Sequence, residues 1–250
     1  MSKLSVFASG ALVAVLIAAA LLFGPLRTGM PETPAAPILL FDGDGASPND
    51  VKAIEALLRR EKLPYSTADS HDLDAMAPAE LSRLTLIIFP GGNFEVMGKA
   101  LDQDTPSRIR AAVRGGVNYL GICAGAFFAG DSPYNAINLT GRRFGFYAES
   151  AKGVRKQTVH LASGDTSFAT YWEDGPELSG WGEPLAKYPD GTPAVVQGKV
   201  GAGWVVLTGV HLEAPPHWYE GLRPGQPEIS NDYAIKLIHA ALGGTALPYL

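Results

Sequence analysis

A chain of 250 residues, 46% of them apolar and 18% charged, is long enough to bury one sizeable hydrophobic core. Its formal net charge of −5 argues against a basic surface for nucleic acid, so no nucleic-acid partner is expected. The single cysteine, Cys123, excludes an internal disulfide and any cysteine-rich zinc site.

Residues 1–30 differ in kind from the rest of the chain. Lys3 precedes an uncharged run from Leu4 to Leu26, and a run of this length suits either a signal peptide or a membrane anchor. The run continues beyond Ala18-Ala19-Ala20, the small residues at which cleavage would occur, and this favours an uncleaved anchor. We therefore expect an N-terminal hydrophobic helix that contacts the membrane.

The rest of the sequence, residues 31–250, predicts a short linker and a single folded domain. Residues 31–36 contain prolines typical of a tether, and residues 37–250 fit the length of one domain. If the N-terminal run directs export, this domain lies outside the cytoplasm. It would be either anchored to the membrane and facing the periplasm, or secreted to the periplasm.

In the first half of the domain, apolar runs alternate with amphipathic stretches. Predicted strands cover residues 37–41, 63–67, 84–89 and 117–122, and predicted helices begin near residues 48, 76 and 105. The first helix has the clearest start, with Ser47 as its N-cap and Pro48 in its first turn. Regular alternation of this kind indicates parallel strands with right-handed crossovers. The expected fold class is therefore α/β, with a doubly wound, mostly parallel, flavodoxin-like sheet.

The second half of the domain has a different sequence pattern. Short apolar runs are separated by Gly, Asp and Ser, and they predict an antiparallel extension of the sheet. The runs cover residues 137–139, 143–147, 154–160, 168–172, 193–197 and 203–207. A final helix is expected over residues 231–242, with Ser230 as its cap.

The sequence Gly121-Ile122-Cys123-Ala124-Gly125 follows an apolar strand and precedes a small-residue helix. A sharp strand–turn–helix presents its central residue above the edge of the sheet, with backbone N–H groups nearby. This arrangement suits a cysteine nucleophile. Since free cysteine is among the most buried residue types, a purely structural Cys123 is the alternative.

Three motifs each follow the end of a predicted strand: Pro90-Gly91-Gly92, the cysteine turn, and His211-Leu212-Glu213. Sites in open parallel sheets form outside the carboxyl ends of the strands, so these motifs can converge. We expect Cys123 to be the nucleophile and His211 its base.

The neighbouring residues of these motifs have supporting roles in this hypothesis. Glu213 would orient the imidazole of His211. Gly91, Gly92 and Ala124 would form the oxyanion and substrate-binding turn, through the N–H groups of Gly92 and Ala124. Each motif alone is weak, and it is their shared position that favours a functional site.

A metal site is the competing chemistry. His217 could join His211 and Glu213 as a ligand, but the spacing matches no zinc pattern, and Pro215-Pro216 interrupts any shared helix face. We therefore expect neither a metal nor another cofactor. His71, His160 and His239 have no identifiable partners, and Tyr171-Trp172-Glu173 and Trp204 are expected to form core or site wall.

At these residues the chain resembles the class I glutamine amidotransferase-like superfamily. Members share a cysteine in a G-x-C-x-G elbow, a distant His-x-Glu and a glycine-rich oxyanion turn, which match Cys123, His211, Glu213 and Gly91-Gly92 in order. The elbow sequence, with Tyr171-Trp172 and Gly175-Pro176, looks most similar to the N-terminal domain type of fungal biotin–protein ligases, in a stand-alone bacterial form. The resemblance implies a cysteine hydrolase.

Two departures from the family pattern bear on function. Ala126-Phe127-Phe128 stands where glutamine-hydrolysing members carry a glutamine, and no loop for biotinyl adenylate is found. The first hypothesis is an amidotransferase-like cysteine hydrolase that acts on a small-molecule or peptide amide. The alternative is a non-catalytic binding or scaffold module that keeps the fold, and biotin–protein ligase activity itself is not expected.

Overall fold

The computed structural model describes residues 37–147 and 156–248, which belong to one compact unit, Ala35–Leu250. The predicted N-terminal hydrophobic helix of residues 1–30 and the predicted linker of residues 31–36 lie outside the described residues. Within the described ranges, no helix combines the length and the apolar character needed to span a membrane.

The strands form one nine-stranded sheet with the order β2-β1-β3-β4-β9-β8-β7-β5-β6. They are β1 (Ile38–Phe41), β2 (Tyr65–Ala68), β3 (Leu86–Phe89), β4 (Asn118–Ile122), β5 (Lys156–Ser163), β6 (Thr166–Glu173), β7 (Glu183–Lys187), β8 (Pro193–Val200) and β9 (Gly203–Thr208). Strands β2, β1, β3, β4 and β9 pair in parallel, in the order typical of a flavodoxin-like sheet. The remaining pairings, from β9 to β6, are antiparallel.

The prediction of a mixed α/β sheet is therefore confirmed, but the balance of its two halves differs from the expected one. The antiparallel half contains as many strand pairings as the parallel half, so the sheet is not mostly parallel. Strand β7 was not predicted from the sequence. It pairs with both β8 and β5 and so joins β8 to the β5–β6 hairpin.

Helices cover both faces of the sheet. They are α1 (Pro48–Arg60), α2 (Ser70–Ala75), α3 (Pro78–Leu81), α4 (Phe94–Ala100), α5 (Thr105–Gly115), α6 (Ala124–Ala129) and α7 (Pro227–Gly243), with a 3₁₀ turn at Pro216–Tyr219. Side chains of α1 and α7 pack with one face of the central strands, and those of α4, α5 and α6 pack with the other. Because successive strand residues point to opposite faces, the central strands are apolar throughout and buried on both sides.

The start of α1 is as predicted, and it matters for the site. The Ser47 side chain accepts a hydrogen bond from the Asp50 backbone N–H at 3.4 Å, and Pro48 occupies the first turn. Ile54, Leu57 and Leu58 face the core. This cap fixes the first turn of α1 beside the carboxyl end of β1 and directs Asp50 into the protein interior.

Three predicted elements differ in the structure. Residues 137–139 and 143–147 are not strands, because Ile137 and Leu139 are instead buried core residues in a loop whose backbone binds α6. The last helix begins at Pro227 rather than after Ser230. Proline at the first helical position starts the helix earlier, and Ser230 is buried within its first turn.

Candidate active site

Cys123 occupies a strained turn between β4 and α6. Its φ of 48° and ψ of −101° lie in a region that residues with a side chain rarely adopt. The turn is held from β9, because the Cys123 backbone N–H donates to the Thr208 carbonyl oxygen at 2.8 Å. Backbone strain of this kind persists only where the surrounding structure fixes it, and it is typical of functional sites.

Two glycines make this turn possible. A Cβ on Gly125 would lie 2.1 Å from the Phe89 carbonyl oxygen, and a Cβ on Gly121 would lie 2.6 Å from the Gly125 carbonyl oxygen. Both distances are far below van der Waals contact. The strand and the helix can therefore approach this closely only when both positions lack a side chain.

The thiol of Cys123 is buried but borders a cavity. The residue is 6% exposed, and Sγ donates a weak hydrogen bond to the Glu173 carbonyl oxygen at 3.5 Å. Cys123, Ala124 and His211 all line a cavity of about 630 Å³. The structure thus places the predicted nucleophile and the predicted base in one space, as the sheet-edge argument expects.

His211 follows the end of β9 and is held by two carboxylates. Its Nδ1 lies 2.9 Å from Glu213 Oε1 and also 2.9 Å from Asp50 Oδ1. Hydrogen-bond geometry is satisfied towards Glu213. Asp50 Oδ1 is buried, and among the described residues it has no partner in good hydrogen-bond geometry, so it contacts His211 as an ion pair. Nε2 is the nitrogen that remains available for a reacting group.

Asp50 belongs to the site, although it was not predicted as a site residue from the sequence. It is 6% exposed, and it lines the same cavity as His211. An acidic residue in the first turn of α1 already has a local explanation, because acidic side chains there favour the helix dipole. The signal available in the sequence was that α1 follows β1, because the carboxyl ends of β1 and β3 lie at the same edge of the sheet.

The charges of this cluster are coupled. Burial disfavours an imidazolium, but the nearby carboxylate of Asp50, the sulfur of Cys123 and the carboxylate of Glu213 outweigh burial and raise the pKa of His211 well above its ordinary value. Burial raises the pKa of Glu213, against the opposing effect of His211. For Asp50 the cost of burial is exceeded by the attraction of His211, so the pKa of that carboxyl is lowered.

The glycine-rich turn after β3 contributes in two distinct ways. Gly92 lines the cavity, whereas Gly91 does not. A Cβ on Gly91 would lie 2.1 Å from Asp50 Oδ1 and 2.6 Å from His211 Cε1. Gly91 therefore leaves room for Asp50 and His211 to meet, and its predicted part in binding an oxyanion stays a prediction.

Gly92 and Ala124 present N–H groups at the cavity. The hydrogen bonds that join the Gly92 turn to the loop after β1 come from Ser47 and Asn93, and in the described parts of the chain neither Gly92 nor Ala124 donates to a backbone carbonyl. Unused N–H groups at a strained turn are the donors that an oxyanion hole requires. Their role as such remains a prediction.

The cavity wall has an aromatic part and a polar part. The ring of Phe127 packs against Phe94 at 4.8 Å and against Phe146 at 4.9 Å between centroids. The lining also has a polar pair, in which the Tyr171 hydroxyl donates to Glu173 Oε2 at 2.5 Å. Of the residues expected to form core or site wall, Tyr171 and Glu173 line the cavity, while Trp172 is fully buried in the core.

Only one group of possible metal ligands is found among residues 37–147 and 156–248, and it differs from the one considered in the sequence. It consists of Asp50, His211 and Glu213, whose ligand atoms lie within 4.8 Å of one another. A divalent cation there would require an unprotonated Nδ1. Because the neighbouring carboxylates also raise the pKa of His211, a proton on Nδ1 and a cation would compete for the same position.

Together these features define the class of protein. A flavodoxin-like parallel half with an antiparallel extension and a strand–turn–helix cysteine at its edge is an amidotransferase-like fold. The family described as "Biotin-protein ligase, N terminal" matches residues 36–170, which is more than half of the chain. The chain belongs to this family. The match includes Asp50 and Cys123 and ends before His211 and Glu213.

Solved structures are similar in fold at low sequence identity. An exo-β-1,4-mannosidase from Opitutaceae bacterium strain TAV5 has a TM-score of 0.53 and 16% identity, over 83% of this chain and 36% of that one. A β-galactosidase from Bacillus circulans sp. alkalophilus has a TM-score of 0.51 and 13% identity, over 84% of this chain and 31% of that one. The chain thus spans about a third of these enzymes.

A third similar structure is of comparable length to this chain. The protein STM3548 from Salmonella typhimurium has a TM-score of 0.50 and 11% identity, over 81% of this chain and 97% of that one. No curated protein matches the chain. The comparisons therefore establish the family and the fold, and the chemistry has to be argued from the site.

Proposed function

We propose that this protein is a cysteine hydrolase that cleaves an amide or related acyl bond through Cys123, His211 and Glu213. The observation that carries the proposal is the pairing of a strained cysteine turn with a histidine held between two buried carboxylates, both at one cavity. A structural cysteine needs neither the strain nor the charged histidine. The proposed substrate is a small-molecule or peptide amide.

The proposed reaction has two halves. His211 Nε2 holds the proton of the Cys123 thiol, so that the sulfur attacks as the thiolate and forms a bond to the amide carbonyl carbon, whose oxygen becomes negative. When the C–N bond breaks, the imidazolium gives its proton to the leaving nitrogen and a thioester remains. Water then loses a proton to His211 and attacks the thioester. The C–S bond breaks, the thiol is restored and the acid is released.

The surrounding residues support each step. Glu213 and Asp50 stabilise the imidazolium that forms in both halves, and the Glu213 hydrogen bond keeps Nε2 directed away from the carboxylates. The N–H groups of Gly92 and Ala124 are the donors for the negative oxygen. Buried groups act more strongly here than they would in water, because the local dielectric is low.

The cellular setting and the subgroup are part of the same proposal. The uncharged run from Leu4 to Leu26 supports a domain that works outside the cytoplasm, anchored to the membrane or secreted to the periplasm. Within the family we favour the stand-alone bacterial form of the fungal-type domain. Membrane fractionation of the full-length protein, combined with its intact mass, tests the location, because a cleaved leader removes about 20–30 residues.

Alkylation of the single cysteine tests the reaction centre. An isolated thiol ionises near pH 8.5, whereas a thiol paired with an imidazolium reacts at lower pH. We expect iodoacetamide to label the wild type at pH 6 at least tenfold faster than His211→Ala. Cys123→Ala should show no labelling, because the chain has no other cysteine, and His211→Gln provides a variant of similar size if the alanine variant unfolds.

The labelling results distinguish a cysteine hydrolase from a non-catalytic binding module. Fast labelling of the wild type at pH 6 and its loss in both His211 variants support the hydrolase. Equal and slow labelling of all folded variants contradicts it and leaves the non-catalytic module as the function of the fold. Amides are screened for ammonia release only if the wild type is labelled fast and both His211 variants are not.

A further inference from the structure

One wall of the cavity is built from phenylalanine rings beside the nucleophile. Phe127 lies one helical turn after Cys123, and it packs between Phe94 and Phe146 with centroid distances of 4.8 and 4.9 Å. All three residues line the cavity. An aromatic wall beside the nucleophile suits an apolar group on the substrate.

The outer ring of this wall is unusually open to solvent. Phe146 is 50% exposed, one of the few large apolar side chains in the described residues that is so exposed. It stands at the cavity, and not on a remote surface. An exposed aromatic ring next to a site loses contact with water when an apolar group of a ligand packs against it, and this favours binding of such a group.

The cavity lining also carries several carboxylates. They are Asp50, Glu95, Glu173, Asp174 and Glu220. Two of these carboxylates are partly neutralised: Lys156, which is in the lining, lies 3.5 Å from Glu173, and Lys99 lies 3.3 Å from Glu95. Among the described residues of the lining, the five carboxylates outnumber one lysine and two histidines. A substrate with a carboxylate would meet repulsion here, whereas a neutral or cationic substrate would not.

We infer that the cavity selects amides that carry an aromatic or bulky apolar group and no carboxylate, with the apolar group packed on Phe94, Phe127 and Phe146. This inference rests on the proposed function for its chemistry, but the preference itself is one of binding. It excludes free glutamine, which has a carboxylate and no apolar group. Cys123 would then attack the amide carbonyl held between the aromatic wall and the N–H groups of Gly92 and Ala124.

Three matched ligands test the preference: N-acetyl-phenylalanine amide, N-acetyl-alanine amide, and N-succinyl-phenylalanine amide, which adds a carboxylate. Binding is measured as protection of Cys123 from iodoacetamide, which needs no turnover. We expect the first compound to give half-protection at a concentration at least tenfold lower than either of the others. Ammonia release from each compound is recorded in parallel.

Two variants test whether the aromatic wall causes the preference for the phenylalanine compound. Phe146→Ala should raise the half-protecting concentration of the phenylalanine compound about fivefold and leave that of the alanine compound unchanged. Phe146→Leu should restore most of the effect. Ile229→Ala is the control, because Ile229 is 46% exposed, belongs to α7 and does not line the cavity.

The results distinguish a failure of this inference from a failure of the proposed function. Equal protection by all three compounds, protection by none, or an unchanged Phe146→Ala variant overturns the inference. If ammonia is nevertheless released, the hydrolase stands and its substrate is of another class. Selective protection without ammonia release supports the binding preference, while it counts against hydrolysis of these amides.

Discussion

The carboxylate of Asp50 offers the sharpest test of the site, because it contacts His211 from a part of the chain that the amidotransferase pattern does not include. The change is Asp50→Asn, which keeps the shape of the side chain and removes its charge. The Asp50 Oδ1 atom lies 2.9 Å from His211 Nδ1, and both side chains are buried. The variant therefore leaves a buried imidazolium with Glu213 as its remaining partner.

The expected size of the effect follows from this geometry. Removing one partner of a buried ion pair costs about 3–5 kcal/mol, because the other charge stays buried. Since Glu213 still accepts the hydrogen bond from His211, we expect the lower end, about 3 kcal/mol of the free energy of unfolding. This loss should appear only where both groups are charged.

The pH range follows from the directions of the two pKa shifts. The pKa of His211 is raised, so its contribution is complete below its unfolded value of about 6.5 and is lost as the pH rises through the folded pKa. The pKa of Asp50 is lowered, so its contribution is complete above its unfolded value of about 3.9 and is lost as the pH falls through the folded pKa. The difference between wild type and variant should thus be largest from about pH 4 to 6.5 and should narrow above that range.

Urea unfolding at a series of pH values from 5 to 10 measures this difference. Asp232→Asn is the control, because Asp232 pairs with Arg60 at 2.7 Å but its side chain is 60% exposed. We expect the control to lose less than about 1 kcal/mol at any pH. If Asp50→Asn behaves like the control, or if its effect is the same at every pH, the charge pair with His211 is refuted as the reason for burying Asp50.

Glycine substitutions test the close approaches that form the site. Gly91→Ala, whose methyl carbon would lie 2.1 Å from Asp50 Oδ1, should cost about 1–3 kcal/mol in urea unfolding and slow the alkylation of Cys123. Gly125→Ala should cost at least about 3 kcal/mol, because the methyl would lie 2.1 Å from a backbone carbonyl oxygen that cannot move aside. Gly115→Ala, with no atom within 4 Å of the new carbon and a helical position, should stabilise by up to about 1 kcal/mol, and a loss there would contradict this interpretation of all three.

The strands and the first helix of the parallel half were predictable because they carry complete local signals. Strands β1 and β3 are continuous apolar runs, as expected for strands buried on both faces, and α1 has a serine cap with a proline after it. Each connection between these strands contains a helix, which indicates parallel pairing. For these strands and for α1, local pattern and tertiary structure agree.

Strand β7 and helix α4 were missed because their patterns are broken by contacts that are distant in sequence. In Glu183–Lys187 the buried residues Leu185 and Ala186 are adjacent, since a register irregularity interrupts the alternation. In Phe94–Ala100 a glycine weakens the helical signal. A Cβ on this Gly98 would overlap the Tyr134 carbonyl oxygen, so a loop far along the chain selects the residue.

The site was predictable to the extent that its residues directly follow strands. Cys123 and His211 each lie just beyond a strand of the parallel half, and parallel strands end at one edge. Asp50 instead lies within the first turn of α1, where an acidic residue already has a sufficient local explanation. The ambiguity is physical, because the same carboxylate can favour the helix start and also pair with a buried histidine.

Two carboxylates on one imidazole nitrogen perform tasks that a single triad acid has to combine. Glu213 accepts the Nδ1 hydrogen bond and so fixes the ring, yet burial raises the pKa of that carboxyl and makes its charge costly. Asp50 forms no hydrogen bond to the ring, but its lowered pKa keeps its charge beside the imidazolium. Orientation and charge compensation are thus divided between Glu213 and Asp50. Because Gly91 makes room for the second carboxylate, the turn after β3 serves the histidine as much as the cysteine.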